Sequence, residues 1–562
     1  MGNARLTAVI EHAPTQTAEA GRWGFDLRSL WYVLLFLAVF YVCFFSHLGA
    51  LGVVGPDEPR YASVAREMAE SGDWVTPCLY GKPWFEKPVL FYWAAALAYR
   101  KFGVNEFAAR LPSALAAALA ALALAWAAWK AWQFEGLAAA RYALLIFPTC
   151  VATFGFARAA GPDTLFAAAL TAAMVAGFTL VWRVRAQARS ERRAWTAGRV
   201  ALVSFGVFLG LATLAKGPAA IVLAGGSVGL WAILTRCWRA ALRLAHPLAI
   251  IGFAVTALPW YVLCAARNPE FLRTFLFTHN LERYLTPIFQ HRQPFWFYAP
   301  VLLLGLLPWT VLLIGVARDA IQLWQEKRWA DSPGLFFGCW ALFPVVFFSF
   351  SQSKLPGYVL PAVPPLALLL ARSVAHLIEN KGRFASNLFV GIGLTLVALG
   401  AAASFWLGRL PLRFILAKPH QVVAWVVPLF LGGLAIAVLG LRRRPAAALL
   451  AAAALMTGLV EAANQRALPR LDKYVSPRVA ARAVQIPPGT AENISVYRLR
   501  RAWRYGLNFY LHQELPDWTP RSARPGWVYT NEEGFAELQR QGVKCFVAAR
   551  DSPQALLVRV ES

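Results

Sequence analysis

The 562-residue chain is 58% hydrophobic and 15% charged, with a mean hydropathy of +0.49, whereas a soluble domain carries about 25% charged residues. Water is therefore excluded as its main solvent. A formal charge of +26 invites a nucleic-acid reading, but the basic residues fall mostly in short loops between apolar segments, where they orient helices against anionic lipid. Membrane lipids, and no nucleic acid, are the expected surroundings.

In chain order, the first 28 residues are polar and lack the apolar core and small-residue cleavage site of a secretory signal. A cytoplasmic tail over residues 1–30 is expected, followed by an uncleaved anchor. Thirteen apolar stretches are candidates to cross the hydrocarbon layer of about 30 Å, at 31–48, 110–131, 138–158, 163–182, 199–215, 218–235, 247–265, 297–317, 335–351, 357–378, 387–408, 421–441 and 445–463. Segment 89–103 is apolar and aromatic but short for a straight span, and it decides the topology. If it does not cross, the Arg-rich loop 183–199, Arg236 with Arg239 and Arg243, Arg318 with Lys327 and Arg328, and Arg442–Arg444 all fall inside, as the positive-inside rule requires. The segment is then a helix lying at the interface or a re-entrant one.

With that topology the polar stretches share the extracytoplasmic side: the loop 49–109, the turn at 158–163, Lys216–Gly217–Pro218, the loop 266–296, the turn at 351–358, and everything from 464 to 562. The transmembrane region is 31–463. The tail changes composition, with strand-like runs at Ile494–Tyr497, Leu507–Leu511, Trp527–Thr530, Cys545–Ala548 and Ala555–Val560 and helix candidates at 477–484 and 532–541. The expected fold is a polytopic α-helical membrane protein of about thirteen transmembrane helices with a C-terminal soluble α/β domain, a structural or substrate-covering cap. The seven cysteines show no CxxC spacing and read as packing residues; Cys78 and Cys545 cannot be paired from sequence.

On the extracytoplasmic side stand the residues with chemistry in them. Asp57 and Glu58, followed by Arg60 and Tyr61, open an amphipathic run just outside the first span. Acids at a helix start favour the dipole, but charge at a membrane boundary is usually retained for function. Glu86 and Lys87 precede the short segment. Asp163 opens one membrane helix and Lys216 closes another, so the two can pair in one site. In the loop 266–296, Phe271, Phe275, His279 and Arg283 share an i, i+4 row that runs from aromatic to cationic. Lys354 and Tyr358 start a helix interrupted by prolines. Clustered carboxylates and cations suit a lipid-borne phosphate, with arginine forks matching its oxygens: the outer side of a bacterial membrane holds no ATP or nucleotide sugars, so a transferase there draws on a donor embedded in lipid.

In Asp57–Glu58 with Arg60–Tyr61, Ser71–Gly72–Asp73–Trp74, Phe85–Glu86–Lys87–Pro88, Asp163, Lys216–Gly217, His279 with Arg283, His291–Arg292, and Lys354–Leu355–Pro356 with Tyr358, the chain resembles the bacterial 4-amino-4-deoxy-L-arabinose transferases that modify lipid A. These belong to the GT-C-like class of membrane glycosyltransferases that includes the protein O-mannosyltransferases. The resemblance implies an undecaprenyl-phosphate-linked sugar donor, a lipid A acceptor, an inner-membrane location with a periplasmic active site, and a divalent metal (Zn, Mg or Mn). It further implies Asp57, Asp163 and Lys216 as catalytic residues, Arg60, Tyr61, Lys87, Arg283 and Tyr358 at the donor phosphate, Glu58 and Lys354 in acceptor or other contacts, and Glu86 with His279 as metal ligands. The alternative is a sister enzyme that moves a different sugar from a polyprenyl phosphate onto protein or another glycan.

Overall fold

A computed structural model describes residues 27–561 apart from 133–134, 187–190, 287–291, 381, 408–418, 486–493, 520–525 and 553. The N-terminal tail up to residue 26 and His291 thus lie outside the described residues. The chain divides into two units, Met1–Ala38 and Val39–Ser562; helix α1 is Leu27–Phe40.

Eight described helices are long and apolar enough to cross a membrane, or up to ten if two bent helix pairs each count as one span. The bent pairs fall at 136–157 and 295–325, and three further apolar helices, Leu30–Phe45, Ala219–Thr235 and Pro333–Ser349, are shorter. Each expected span therefore has a helical counterpart, while length and composition alone support eight to ten. The chain is a multi-pass membrane protein.

The site is positioned by α2 (Asp57–Ser71), α3 (Leu90–Phe102), α4 (Glu106–Ala131), α5 (Gly136–Thr149), α6 (Val151–Ala157), α7 (Pro162–Ala186), α8 (Glu191–Lys216) and α9 (Ala219–Thr235). Asp57 and Glu58 occupy the first turn of α2, where the exposed N–H groups favour negative charge. Gly72 ends it in the left-handed conformation, φ 74°, returning its N–H to the Met68 carbonyl. Asn105 caps α4 by accepting from the Ala108 N–H.

Helix α3 covers 13 residues, about 20 Å at 1.5 Å per residue, too short to span. Phe91, Tyr92, Ala95, Ala96 and Tyr99 are buried, and α3 packs between α2 and α4, so it is an internal brace with burial on most of its surface.

The C-terminal strands are β3 (Ile494–Val496), β4 (Gly526–Thr530), β5 (Cys545–Ser552) and β6 (Ala555–Val560), after a small hairpin of β1 (Cys78–Leu79) and β2 (Lys82–Pro83). They form one sheet in the order β3-β4-β6-β5, parallel between β3 and β4 and antiparallel elsewhere. The expected strand at Leu507–Leu511 is instead the end of a helix, Arg501–Leu511. Trp503, Leu507 and Leu511 recur every four residues and are buried together with Ile494, Val496 and Tyr529, which is helical spacing. All seven cysteines are free thiols.

Candidate active site

Arg60 is the hub. Its guanidinium pairs with Asp57 three residues earlier and donates to Glu86 Oε2 at 2.9 Å. Its ring neighbours are Trp84, with the centroid 5.4 Å away, and Tyr505 of the C-terminal helix, 5.3 Å away. A planar cation held between aromatic faces loses little when it also makes forked hydrogen bonds. The Asp57 side chain stays 52% exposed, while that of Glu86 is 10% exposed. Of the two carboxylates, Asp57 is thus the one a ligand can reach.

Glu86 binds the next layer of charge. Its Oε1 lies 3.8 Å from Lys87 Nζ and 3.6 Å from Arg283 Nη1. Burial pushes the Glu86 carboxyl up, but Lys87, Arg60 and Arg283 outweigh it and hold the carboxyl below its usual value. Burial lowers the Lys87 ammonium to about 8 against the opposing pull of Glu86. His279 is lowered by burial and feels Glu86 as its strongest neighbouring charge.

Arg283 lies 6.0 Å from the Tyr358 ring centroid and hydrogen-bonds its hydroxyl. Lys216 lies 5.0 Å from the same ring and pairs with Asp163. The Lys216–Gly217–Pro218 turn needs its glycine: Gly217 has φ +93°, and a Cβ there would meet Phe275 Cζ at 2.6 Å. Tyr61 is buried with its ring against Phe91 and Tyr92, and its hydroxyl feels Glu86, Asp57 and Asp163. Asp57, Arg60, Tyr61, Glu86, Lys87, Asp163, Lys216, His279, Arg283 and Tyr358 are therefore brought together in one network.

Two expected site residues stand apart. Glu58 accepts from Arg110 Nε at 2.7 Å and Nη2 at 3.0 Å, and from the Val54 and Ala160 backbone N–H groups at 2.8 and 2.9 Å. With both oxygens occupied by the protein and the side chain 8% exposed, Glu58 ties α2 to α4 and has no lone pair left over for an acceptor. Lys354 donates to the Ser351 and Gln293 carbonyls at 2.6 and 3.1 Å and closes its own loop. The loop 273–282 also departs from the expected regular helix: Arg273–Glu282 is wound as a π-helix, so the four-residue row is not its true face. Phe271 and Phe275 still stack, 5.7 Å between centroids.

Sequence reasoning misses Arg110, Trp84 and Tyr505. A lone arginine in the apolar run of α4 is a signal for Arg110; nothing local marks Tyr505, which reaches Arg60 only through the tertiary fold. The same C-terminal region holds the chain before α2 and α2 itself: the Gly52 N–H donates to Asp472 Oδ1 at 2.7 Å, the Val53 N–H to the Tyr510 hydroxyl at 2.9 Å, and Arg66 Nη1 of α2 to the Phe509 carbonyl at 2.6 Å.

A cavity of about 740 Å³ runs from Leu90, three residues after Lys87, between α4, α7 and α8, lined by Leu119, Trp126, Leu165, Val175 and Phe208. Its walls are almost wholly apolar.

Residues 29–275 match the dolichyl-phosphate-mannose-protein mannosyltransferase family. A relative from Sodalis glossinidius (strain morsitans) named undecaprenyl phosphate-alpha-4-amino-4-deoxy-L-arabinose arabinosyl transferase 2 is 33% identical over 506 residues, 84% of this chain and 88% of that protein. The transferase of that name from Edwardsiella ictaluri is 33% identical over 368 residues, 65% of this chain and 63% of its own length. Among solved structures, ArnT from Cupriavidus metallidurans bound to undecaprenyl phosphate aligns with a TM-score of 0.77 at 25% identity, covering 95% of this chain and 98% of that one.

Proposed function

The chain belongs to the undecaprenyl phosphate-α-4-amino-4-deoxy-L-arabinose arabinosyl transferase family, and from that premise we infer that it moves this aminosugar from undecaprenyl phosphate to a phosphate of lipid A. It is a membrane glycosyltransferase of GT-C fold that uses a lipid-phosphate-linked donor. The basic loops support placing the site on the periplasmic face of the inner membrane. Masking lipid A phosphate would weaken cationic peptides such as polymyxin.

The observation that carries the reading is the unbroken charge network from Asp57 through Arg60 and Glu86 to Lys87, Arg283, Tyr358, Lys216 and Asp163. At one end it offers an exposed carboxylate. At the other it offers two largely buried cations and a phenol, and Leu90, three residues after Lys87, opens an apolar cavity; together these suit a phosphate on a polyprenyl tail. Lys87, Arg283 and Tyr358 bind the donor phosphate and stabilise it as a leaving group, since fixed donors aimed at developing negative charge lower the barrier most. A phosphate monoester acceptor, with a second pKa of about 6, is already an anionic nucleophile at neutral pH. Asp57 then has no need to act as a strong base; it orients the acceptor or faces the positive charge that develops on the sugar ring. Lys216 and Asp163 position the sugar or acceptor.

Glu86 and His279 would hold a divalent metal. Among the described residues Glu86 Oε1 has only ion contacts of 3.6 and 3.8 Å, longer than hydrogen bonds, so it has a lone pair to give. No described group of three or more His, Cys, Asp or Glu gathers there. A one-carboxylate, one-imidazole set leaves positions open, as catalytic rather than structural sites do, and the metal would supply Lewis-acid stabilisation of phosphate oxygens. Purified protein given donor and lipid A should release undecaprenyl phosphate; release with a peptide acceptor alone would favour the sister reaction.

A further inference from the structure

A second cavity, of about 400 Å³, lies between the α6 region, the loop before α2 and helix Pro445–Ala462, with Leu48, Phe154, Met456, Leu459 and Val460 in its walls and Arg158 among its few polar groups. Arg158 donates through Nη2 to the His47 carbonyl at 3.1 Å, while its Nη1 is buried with no hydrogen-bond partner. Among the described residues it forms no ion pair. The neighbouring acids are already engaged: Glu58 with Arg110, and Glu461 with Ser46 at 2.6 Å and His47 at 3.7 Å. A cation with a buried N–H unpartnered and its neighbouring acids already engaged is costly and is retained for a partner. Gly155 opens the space further, since a Cβ added there would meet nothing within 4 Å.

We propose that this cavity is a lipid site, in which an acyl chain lies along the apolar wall and an anionic phosphate headgroup pairs with Arg158. The proposal does not rest on the transferase reading. Its position still bears on that site: the turn that Arg158 begins donates from the Ala160 N–H to Glu58 at 2.9 Å and leads directly into α7, where Asp163 meets Lys216. A lipid held here would steady that turn.

Native mass spectrometry of the full chain released from nanodiscs of mixed phosphatidylglycerol and phosphatidylcholine tests this. Wild type and Arg158→Lys should retain one phosphatidylglycerol in preference to phosphatidylcholine. Arg158→Gln should lose it by about tenfold in occupancy, as expected for one charge-assisted contact, and Gly155→Leu should lose it by filling the space. Should Arg158→Gln fail to elute as a monodisperse protein, Gly155→Leu carries the test alone. Equal occupancy in all variants, or equal retention of the two lipids, would overturn the proposal. Displacement of the bound lipid by added lipid A would identify the occupant as the acceptor, and its persistence as bulk phospholipid.

Discussion

At the scale of single residues, the division of labour between Asp57 and Glu58 is the sharpest consequence of the geometry. Asp57→Asn should keep donor binding and lower turnover by about 10²-fold or more, because it removes a charge that matters only as the transition state forms; a radiolabelled-donor assay read beside a binding titration checks this, and full activity of the variant would refute it. Glu58→Ala should act on stability instead. It strands Arg110, whose guanidinium is buried and also donates to the Leu48, Leu51 and Gly52 carbonyls. Breaking a buried pair from one side costs about 3–5 kcal/mol, so a lowered unfolding midpoint is expected. Adjacent acids look alike in a sequence. What separates them is a partner 52 residues away, which no local pattern reveals.

The elements show which signals survive without tertiary information. Charges that interrupt apolar runs at helix ends mark Asp163 and Lys216 directly, because hydrocarbon tolerates few of them. Where two periodicities compete the reading fails: Leu507–Leu511 is apolar and aromatic enough for a strand, and only the spacing back to Trp503 reveals a helix. The π-winding of 273–282 has no such marker. Helix Arg501–Leu511 also brings Tyr505 onto Arg60. Tyr505→Leu should reduce kcat severalfold with little change in KM by loosening the guanidinium that holds Asp57 and Glu86, and Tyr505→Phe should restore it, since the ring face and not the hydroxyl makes the contact. Loss in both variants would assign the effect to the hydroxyl. In the Lys216 turn, Gly217→Ala imposes a strained φ and a clash with Phe275, and should lower activity more than it lowers the unfolding midpoint, as measured on one preparation.

For the whole molecule, the membrane topology turns on α3. The structure unites Asp57, Glu86, Asp163, Lys216, His279 and Tyr358 in a single charge network, and α3, at 13 residues, is shorter than the roughly 20 needed to span. Reporter fusions should place the loop after Trp182 and the turn at Arg442–Arg444 in the cytoplasm and the end of β6 in the periplasm; the reverse pattern would require α3 to span. The chemistry itself is tested most directly by mass spectrometry of lipid A from cells carrying the wild-type protein, the Asp57→Asn variant, or neither. An aminopentose added to a lipid A phosphate is expected only with the wild type. Unmodified lipid A in the presence of active wild-type protein, with a sugar appearing instead on protein, would contradict it.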